Sequence, residues 1–292
     1  MLKKIRLTDF KSFVDEEAEL SPLTLLVGAN ASGKSNFLDA IRFLQGLALG
    51  LTIPEVLNGE ERAHPGAWPG LRGRVEESAR LGRSAFTIDS LWLTSIGGEK
   101  PPEEIRHRIE CRTSPHPIRR LERVEGRSRR IVAPEELEQQ KSLITDFDDI
   151  SKSEKPILIA LLMALLNVRF LEIRPSAMRG YGRRGASLGS EGKNLSGVLA
   201  DLSDDPMTKR SFVTWLREVC APEIEDLDFA EVKELGDVMA IFVEKDGARI
   251  SARSISDGTL RFLGTLLALR TAQLTIATRS DRNKALASCF QA

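Results

Sequence analysis

The chain has 292 residues, a length that fits one large domain with an insertion or two small domains. Its hydrophobic content of 41% and its charged content of 29% are those of an ordinary globular protein. The formal net charge is zero, which excludes a bulk electrostatic field that would draw the whole molecule to nucleic acid or to anionic lipid.

The cysteines and the apolar runs of the sequence indicate the cellular compartment in which the protein is expected. The three cysteines, Cys111, Cys220 and Cys289, are odd in number and far apart, so neither a disulfide framework nor a zinc spacing is visible. The N-terminus has no signal-peptide core. The longest apolar run, residues 157–166, has about half of the roughly 20 residues that a membrane span needs. We therefore expect a cytoplasmic protein without a membrane partner.

The first fifty residues predict two strands, a glycine-rich loop and a helix. A strand is predicted over residues 2–10. Residues 23–27 form a short, fully apolar run before a glycine, which is typical of a buried parallel strand. Residues 36–44 have helical periodicity, because Phe37 and Ile41 share one stripe with Leu44.

The rest of the chain alternates irregular and periodic segments. Prolines and glycines are frequent from about residue 52 to 135, which favours short strands joined by loops. Strands are predicted over residues 84–93, 168–173, 227–232 and 238–244. Helices are predicted over residues 134–150, from Pro156, and over residues 207–219 and 260–269.

A complete phosphate-binding motif follows the second predicted strand. Residues 28–35 fit the pattern G-x-x-x-x-G-K-[ST] at every position. The glycines let successive N–H groups point into one concavity, and the following helix adds the positive end of its dipole. Lys34 would place a charge across the phosphates, and Ser35 would ligate Mg²⁺. The predicted nucleotide-binding residues are Gly28, Ala29, Asn30, Ala31, Ser32, Gly33, Lys34, Ser35 and Asn36, with ATP and Mg²⁺ as cofactors.

A chance match of this motif in an ordinary turn is the alternative. The apolar run before the loop and the amphipathic helix after it argue against chance, because the mechanism needs both.

A second glycine-containing turn, residues 254–259, opens the apolar helix that begins near Leu260. Ser256 can cap that helix, and Gly258 leaves no side chain beside its N-terminus. An ordinary helix cap is one interpretation. The other is a second anion-binding surface, made of a serine hydroxyl and a helix N-terminus.

Five segments resemble the SMC/RecF-type AAA family of ATPases. They are residues 7–13, 28–41, 173–179, 192–195 and 255–261. The last of them is similar to the family's ABC signature, with Ser256, Asp257 and Gly258 in place of the usual Ser-Gly-Gly. The resemblance covers both ends and the later half of the chain and is weak from about residue 52 to 155.

The resemblance implies an α/β fold, a P-loop NTPase with an ABC-type ATPase head whose mixed sheet is flanked by helices. Residues 1–51 and 156–292 would form this head, and residues 52–155 an inserted subdomain. It also implies a homodimer across ATP, in which Ser256, Asp257 and Gly258 of one subunit meet the γ-phosphate held by the other. Such heads serve DNA repair, DNA maintenance or phage defence, which implies DNA or a nuclease as partner.

The end of the chain departs from the family pattern. Family members follow the signature helix with a strand that ends in an acidic pair, then a D-loop and a switch histidine. Residues 274–281 lie where that strand is expected and carry no acidic pair, and Asp281 is the only Asp or Glu after Asp257. We therefore expect a truncated or out-of-frame product whose catalytic carboxylates are unidentified.

Three hypotheses of function remain. The first is an ATPase head coupled to DNA or to a partner enzyme. The second is a non-hydrolysing, nucleotide-dependent interaction module that regulates a partner nuclease or other effector. A small-molecule kinase is disfavoured, since it has no need of a Ser-Asp-Gly helix start so far downstream.

Three weaker signals accompany these motifs. A basic region could track phosphates, but interleaved glutamates favour a solvated face of mixed charge; its arginines are Arg106, Arg108, Arg112, Arg119, Arg120, Arg123, Arg127, Arg129 and Arg130. Arg179, Arg183 and Arg184 suit nucleotide or DNA contact, with solvation as the default. His107, Cys111 and His116 are close in sequence, yet nothing else supports a metal site.

Overall fold

The computed structural model describes the chain except residues 23, 25, 61–67, 95–100, 128, 134–139, 147–149, 220, 222, 233 and 278–292. It forms two compact units, Met1–Val168 and Arg169–Ala292. The predicted head draws on both units, and residues 52–155 fall within the first. That predicted division into a head and an insertion stays a prediction.

The first unit is built on a six-stranded antiparallel sheet with the strand order β2-β1-β3-β4-β5-β6. Its strands are β1 (Leu2–Thr8), β2 (Asp15–Glu19), β3 (Ala85–Thr94), β4 (Glu103–Arg112), β5 (Ile118–Gly126) and β6 (Arg129–Ala133). Successive side chains point to opposite faces, so Ile5 and Leu7 are buried while Lys4 and Arg6 pair with carboxylates of β2.

The α-helices among the described residues of this unit are α1 (Lys34–Ala48), α2 (Ile53–Asn58) and α3 (Lys155–Leu166). They share one core with the apolar face of the sheet. Phe43 of α1 meets Phe86 of β3 edge to face, with ring centroids 5.4 Å apart, and Phe10 meets the same ring at 5.1 Å. This packing fixes the helix that follows the phosphate-binding motif.

In the part of the second unit that the structure describes, four strands form one sheet and four α-helices accompany it. Its strands are β7 (Gly182–Arg183), β8 (Ile224–Val232), β9 (Asp237–Glu244) and β10 (Arg249–Ser251), and β9 pairs antiparallel with each of the other three. Its helices are α4 (Pro175–Met178), α5 (Leu195–Ser203), α6 (Pro206–Val219) and α7 (Asp257–Ala277). Phe212, Phe242 and Leu263 lie in its core.

The α/β class is confirmed, and the strongly patterned elements form as predicted. The predicted helices at 36–44, from Pro156, at 207–219 and at 260–269 correspond to α1, α3, α6 and α7. The predicted strands at 2–10, 84–93, 227–232 and 238–244 correspond to β1, β3, β8 and β9. No helix in the described part of the chain is long and apolar enough to cross a membrane.

Three predicted elements are wrong. In the predicted strand at 23–27, residues 23 and 25 lie outside the described residues, and Leu26 and Val27 belong to no strand and are 40% and 78% exposed. Residues 168–173 also lie outside any strand. A buried parallel strand forms only when neighbouring strands pair with its backbone, and no described strand pairs with either segment. In the predicted helix at 134–150, residues 140–146 form bends and turns, and residues 134–139 and 147–149 lie outside the described residues.

Candidate nucleotide site

The phosphate-binding motif forms a tight turn before α1. Ala31 and Gly33 have left-handed backbones, with φ of 64° and 90°. A Cβ on Gly33 would lie 3.1 Å from the Ser12 hydroxyl oxygen and 3.3 Å from the Phe13 ring. Gly33 is therefore required twice, by its backbone angle and by the close approach of the segment after β1.

The first turn of α1 is available to a ligand. The helix begins at Lys34, and within the described residues no side chain caps it. Its first turn contains no acidic residue. The first N–H groups of a helix have no partner within the helix, and the dipole makes this end positive. The turn therefore offers N–H donors and partial positive charge to an anion.

The Lys34 ammonium lies inside the loop. Its Nζ donates to the carbonyl oxygens of Gly28 at 2.7 Å and Ala29 at 2.6 Å, and to the Ser32 hydroxyl at 3.3 Å. These contacts hold the charge in the concavity that the backbone makes. If a phosphate bound in the same place, its oxygens would replace some of the present acceptors of the Lys34 ammonium.

The two residues after Lys34 differ in their surroundings. Ser35 is exposed at the start of α1. The Asn36 side-chain amide donates to the Ser12 hydroxyl at 2.9 Å, which ties the helix to the segment after β1. Ser35 is thus accessible from solvent, whereas the Asn36 side chain is engaged by the segment after β1.

A cavity of about 500 Å³ opens beside the loop. Small-molecule sites commonly fall in this size range. Ile5, Leu7 and Phe13 give it apolar walls, Glu16 and Glu17 add carboxylates, and Ala31 and Ser32 bring the loop itself to its edge. The cavity is therefore continuous with the phosphate-binding turn.

An ion cluster around a buried carboxylate supports α1. The Asp39 carboxylate is 2% exposed and accepts from Lys11 Nζ at 2.6 Å and from Arg72 Nη2 at 2.8 Å. Lys11 also donates to the Arg72 carbonyl oxygen at 2.7 Å. Since these cations engage Asp39, it is held as a support for the helix rather than as a ligand for Mg²⁺. Sequence reasoning missed this cluster, because Arg72 is distant in the chain and no local pattern marks it.

The second predicted turn opens α7 in the second unit. The Ser256 hydroxyl oxygen accepts from Thr259 N at 3.1 Å, so Ser256 caps the helix as expected. Gly258 stands in open space, since the nearest described atom to a Cβ there would be the Ser256 hydroxyl oxygen at 3.8 Å. Asp257 pairs with Arg179, whose Nη2 lies 2.5 Å from its Oδ1. The default expectation of solvation for Arg179 is therefore wrong.

The region of the expected catalytic carboxylates is only partly described. Residues 274–277 belong to α7 and are helical, whereas the family pattern puts a strand here. Asp281 lies outside the described residues. The structure therefore assigns no catalytic carboxylate.

The weaker signals resolve into structural contacts. His107 Nε2 lies 2.7 Å from the buried Glu122 carboxylate, Cys111 is buried, and the described residues hold no group of three or more potential metal ligands. Burial alone raises the pKa of Glu122, but the hydrogen bond from His107 and the charges of His107 and Arg119 outweigh it and hold the pKa below its usual value.

The basic region is a face of mixed charge. Arg106 pairs with Asp89, and the pairs Arg120–Glu110 and Arg130–Glu125 follow along the sheet. Arg184 likewise pairs with carboxylates, those of Asp201, Asp204 and Glu231. The pairs along the sheet favour a solvated face of mixed charge over a phosphate track. The ion pairs of Arg184, like that of Arg179, replace the expected solvation.

Comparison with protein families gives one match over most of the chain. Residues 23–276 match the family described as "AAA domain, putative AbiEii toxin, Type IV TA system". The matched range includes the phosphate-binding turn and the turn before α7.

Individual relatives match over shorter segments. The DNA replication and repair protein RecF of Gloeobacter violaceus is 48% identical over 44 residues, which cover 15% of this chain and 12% of that protein. The chromosome partition protein Smc of Thauera aminoaromatica is 44% identical over 61 residues, covering 20% and 5%. A solved SMC head bound to the C-winged helix domain of ScpA is 15% identical with a TM-score of 0.48, covering 91% of this chain and 75% of that one. The family and the curated relatives confirm the predicted resemblance to SMC/RecF-type ATPases.

Proposed function

Because the chain belongs to this AAA domain family, we propose that it is an ATP-binding head of the SMC/RecF type. The observation that carries the proposal is the loop before α1, where a left-handed Gly33, an uncapped helix start and the Lys34 ammonium converge. Each of these features favours a phosphate chain, and together they match the requirements of a nucleoside triphosphate.

The binding mode follows from the contacts of the loop. Lys34 exchanges its carbonyl acceptors for the β- and γ-phosphate oxygens, and the N–H groups of the first turn of α1 complete the cradle. The exposed Ser35 hydroxyl ligates Mg²⁺. The cavity beside the loop receives the base and ribose against the apolar side chains of Leu7 and Phe13.

ATP-dependent self-association is the second part of the proposal. Ser256, Asp257 and Gly258 of one copy meet the γ-phosphate that the other copy holds. Gly258 supports this, because neither its backbone angle nor the packing of its own chain requires a glycine. The absence of a side chain at Gly258 would let an external group approach the backbone closely.

Hydrolysis by this chain is proposed to be slow or absent. Phosphoryl transfer needs a carboxylate on Mg²⁺ and another to orient water, and orientation and charge stabilisation supply most of the rate. Asp281 is the only Asp or Glu after Asp257, and Asp39 is engaged by Lys11 and Arg72. The second candidate is therefore a non-hydrolysing module that responds to ATP and regulates a partner nuclease or other effector in DNA repair, DNA maintenance or phage defence.

Binding of a labelled ATP analogue with Mg²⁺ tests the proposal. We expect the wild-type chain to bind and Lys34→Ala to abolish binding, because the charge at the centre of the cradle is lost. Lys245→Ala, an exposed lysine of the second unit, is the matched control and should bind normally. Equal affinities of wild type and Lys34→Ala would exclude the loop as the site.

A phosphate-release assay on the same samples separates the two candidates. Little release from a chain that binds the analogue supports the interaction module. Brisk release that Lys34→Ala abolishes supports the ATPase instead, with a carboxylate discounted above acting as the base.

A further inference from the structure

The turn before α7 contains an unfavourable charge for its proposed role. Asp257 is the first residue of the helix, between Ser256 and Gly258, and its side chain is 67% exposed. A carboxylate there is favourable for the helix, because it faces the positive end of the dipole. For an approaching triphosphate the same carboxylate is repulsive, since both groups are negative.

An arginine side chain forms an ion pair with the Asp257 carboxylate. Arg179 is 29% exposed and directs Nη2 to Asp257 Oδ1 at 2.5 Å. Its Nη1 donates to the carbonyl oxygen of Ile255 at 2.9 Å and also to that of Arg253. A planar guanidinium can hold a carboxylate with one arm and backbone carbonyls with the other, which a single ammonium cannot reproduce.

Arg179 is itself held firmly against α7. It directly follows α4, whose Met178 is buried. A Cβ on Gly264 of α7 would lie 2.7 Å from the Met178 methyl carbon, so the two helices approach closely at this glycine. The backbone at Arg179 is therefore fixed against α7, and the contacts with Ile255, Arg253 and Asp257 then hold the guanidinium at the turn.

We propose that Arg179 is a positioning residue for the phosphate-facing turn. It fixes the backbone of residues 253–257 and neutralises Asp257, so that Ser256 and Gly258 meet a phosphate without facing an unpaired carboxylate. The inference deepens the proposed function and rests on it. Arg179 itself touches no nucleotide in this arrangement.

The test measures ATP-dependent self-association by sedimentation velocity of the full 292-residue chain with a non-hydrolysable ATP analogue and Mg²⁺. Arg179→Gln should raise the concentration needed for half-association by about tenfold to a hundredfold, the range of a lost charge-assisted contact. Analogue affinity at the Lys34 loop should not change. Arg183→Gln, an exposed arginine nearby, is the matched control and should associate like wild type.

Rescue distinguishes positioning from general support of the fold. Adding Asp257→Asn to Arg179→Gln should restore most of the lost association, because the unpaired carboxylate is gone. If Arg179 only stabilised the fold, Asp257→Asn would not help, since it removes a carboxylate that favours the helix N-terminus. Arg179→Lys should fall between wild type and Arg179→Gln, because it keeps the charge and loses the fork.

Two results overturn this inference alone. One is unchanged association of Arg179→Gln, and the other is a loss that Asp257→Asn does not reverse. A wild-type chain that binds no analogue refutes the proposed function as a whole. A wild-type chain that binds the analogue and stays monomeric refutes both self-association and this inference. The proposed nucleotide site would not be affected by that result.

Discussion

The two turns proposed to contact phosphate both precede helices, but they differ in whether side chains cap the first N–H groups of the helix. The turn before α1 leaves its N–H groups without a side-chain cap among the described residues and has no acid in the first turn. The turn before α7 satisfies Thr259 N with Ser256 and places Asp257 beside it. In the proposed function, the first turn binds an anion by itself, whereas the second meets an anion that is already held elsewhere.

The two turns also differ in why each contains a glycine. Gly33 is required by its own chain, through a left-handed backbone and the approach of Ser12 and Phe13. Gly258 has neither requirement. A glycine that its own fold does not need is a good candidate for a surface that another molecule approaches.

The largest effect should come from a bulky side chain at Gly258. We expect Gly258→Trp to abolish analogue-dependent self-association while nucleotide affinity stays unchanged, because its space is open in the single chain and filled only on association. Sedimentation velocity and analogue binding on the same sample measure both. If Gly258→Trp also lost nucleotide binding, the proposal that one turn binds the nucleotide and the other mediates association would be wrong.

An alanine at each glycine should have opposite consequences for stability. Gly33→Ala should destabilise the first unit by roughly 1–3 kcal/mol and weaken analogue binding, because the left-handed backbone is strained for any side chain. Gly258→Ala should stabilise α7 by about 1 kcal/mol or less, since alanine favours a helix. Denaturant unfolding measures both changes, and equal changes at the two positions would contradict the comparison.

The smallest effect concerns the serine cap of α7, which has no counterpart at the start of α1 among the described residues. Ser256→Ala should lower the stability of that helix start by about 1 kcal/mol, the usual value of a lost serine cap. Hydrogen exchange at Thr259 N measures it directly, because this group loses its acceptor. Undiminished protection would mean that the hydroxyl does not cap the helix in solution.

Local patterns predicted the two turns because their contacts are local. The loop motif lies within residues 28–35, although Ser12 and Phe13 also approach it. The Ser256 cap needs only Thr259, three residues away. The same reasoning failed for the run at residues 23–27, since a parallel strand depends on partners that the run does not contain. Apolar composition alone therefore identified a candidate strand but not its pairing.

Long-range ion pairs were beyond the reach of the sequence. Arg179 and Asp257 are 78 residues apart, and Arg72 and Asp39 are 33 apart. Charge counts gave no reason to prefer these partners over solvent, so solvation was the natural expectation for Arg179. Only the packing of α4 on α7 brings that arginine to the turn.

The contacts of Lys34 have a consequence for conformational entropy. A free lysine side chain samples many rotamers, and ordering it costs up to about 2 kcal/mol. Here the fold has already confined the ammonium against Gly28, Ala29 and Ser32. A triphosphate entering the loop therefore meets a cation that is already confined there. Lys34 still has to exchange its carbonyl acceptors for phosphate oxygens, but part of the loss of side-chain freedom belongs to folding rather than to binding.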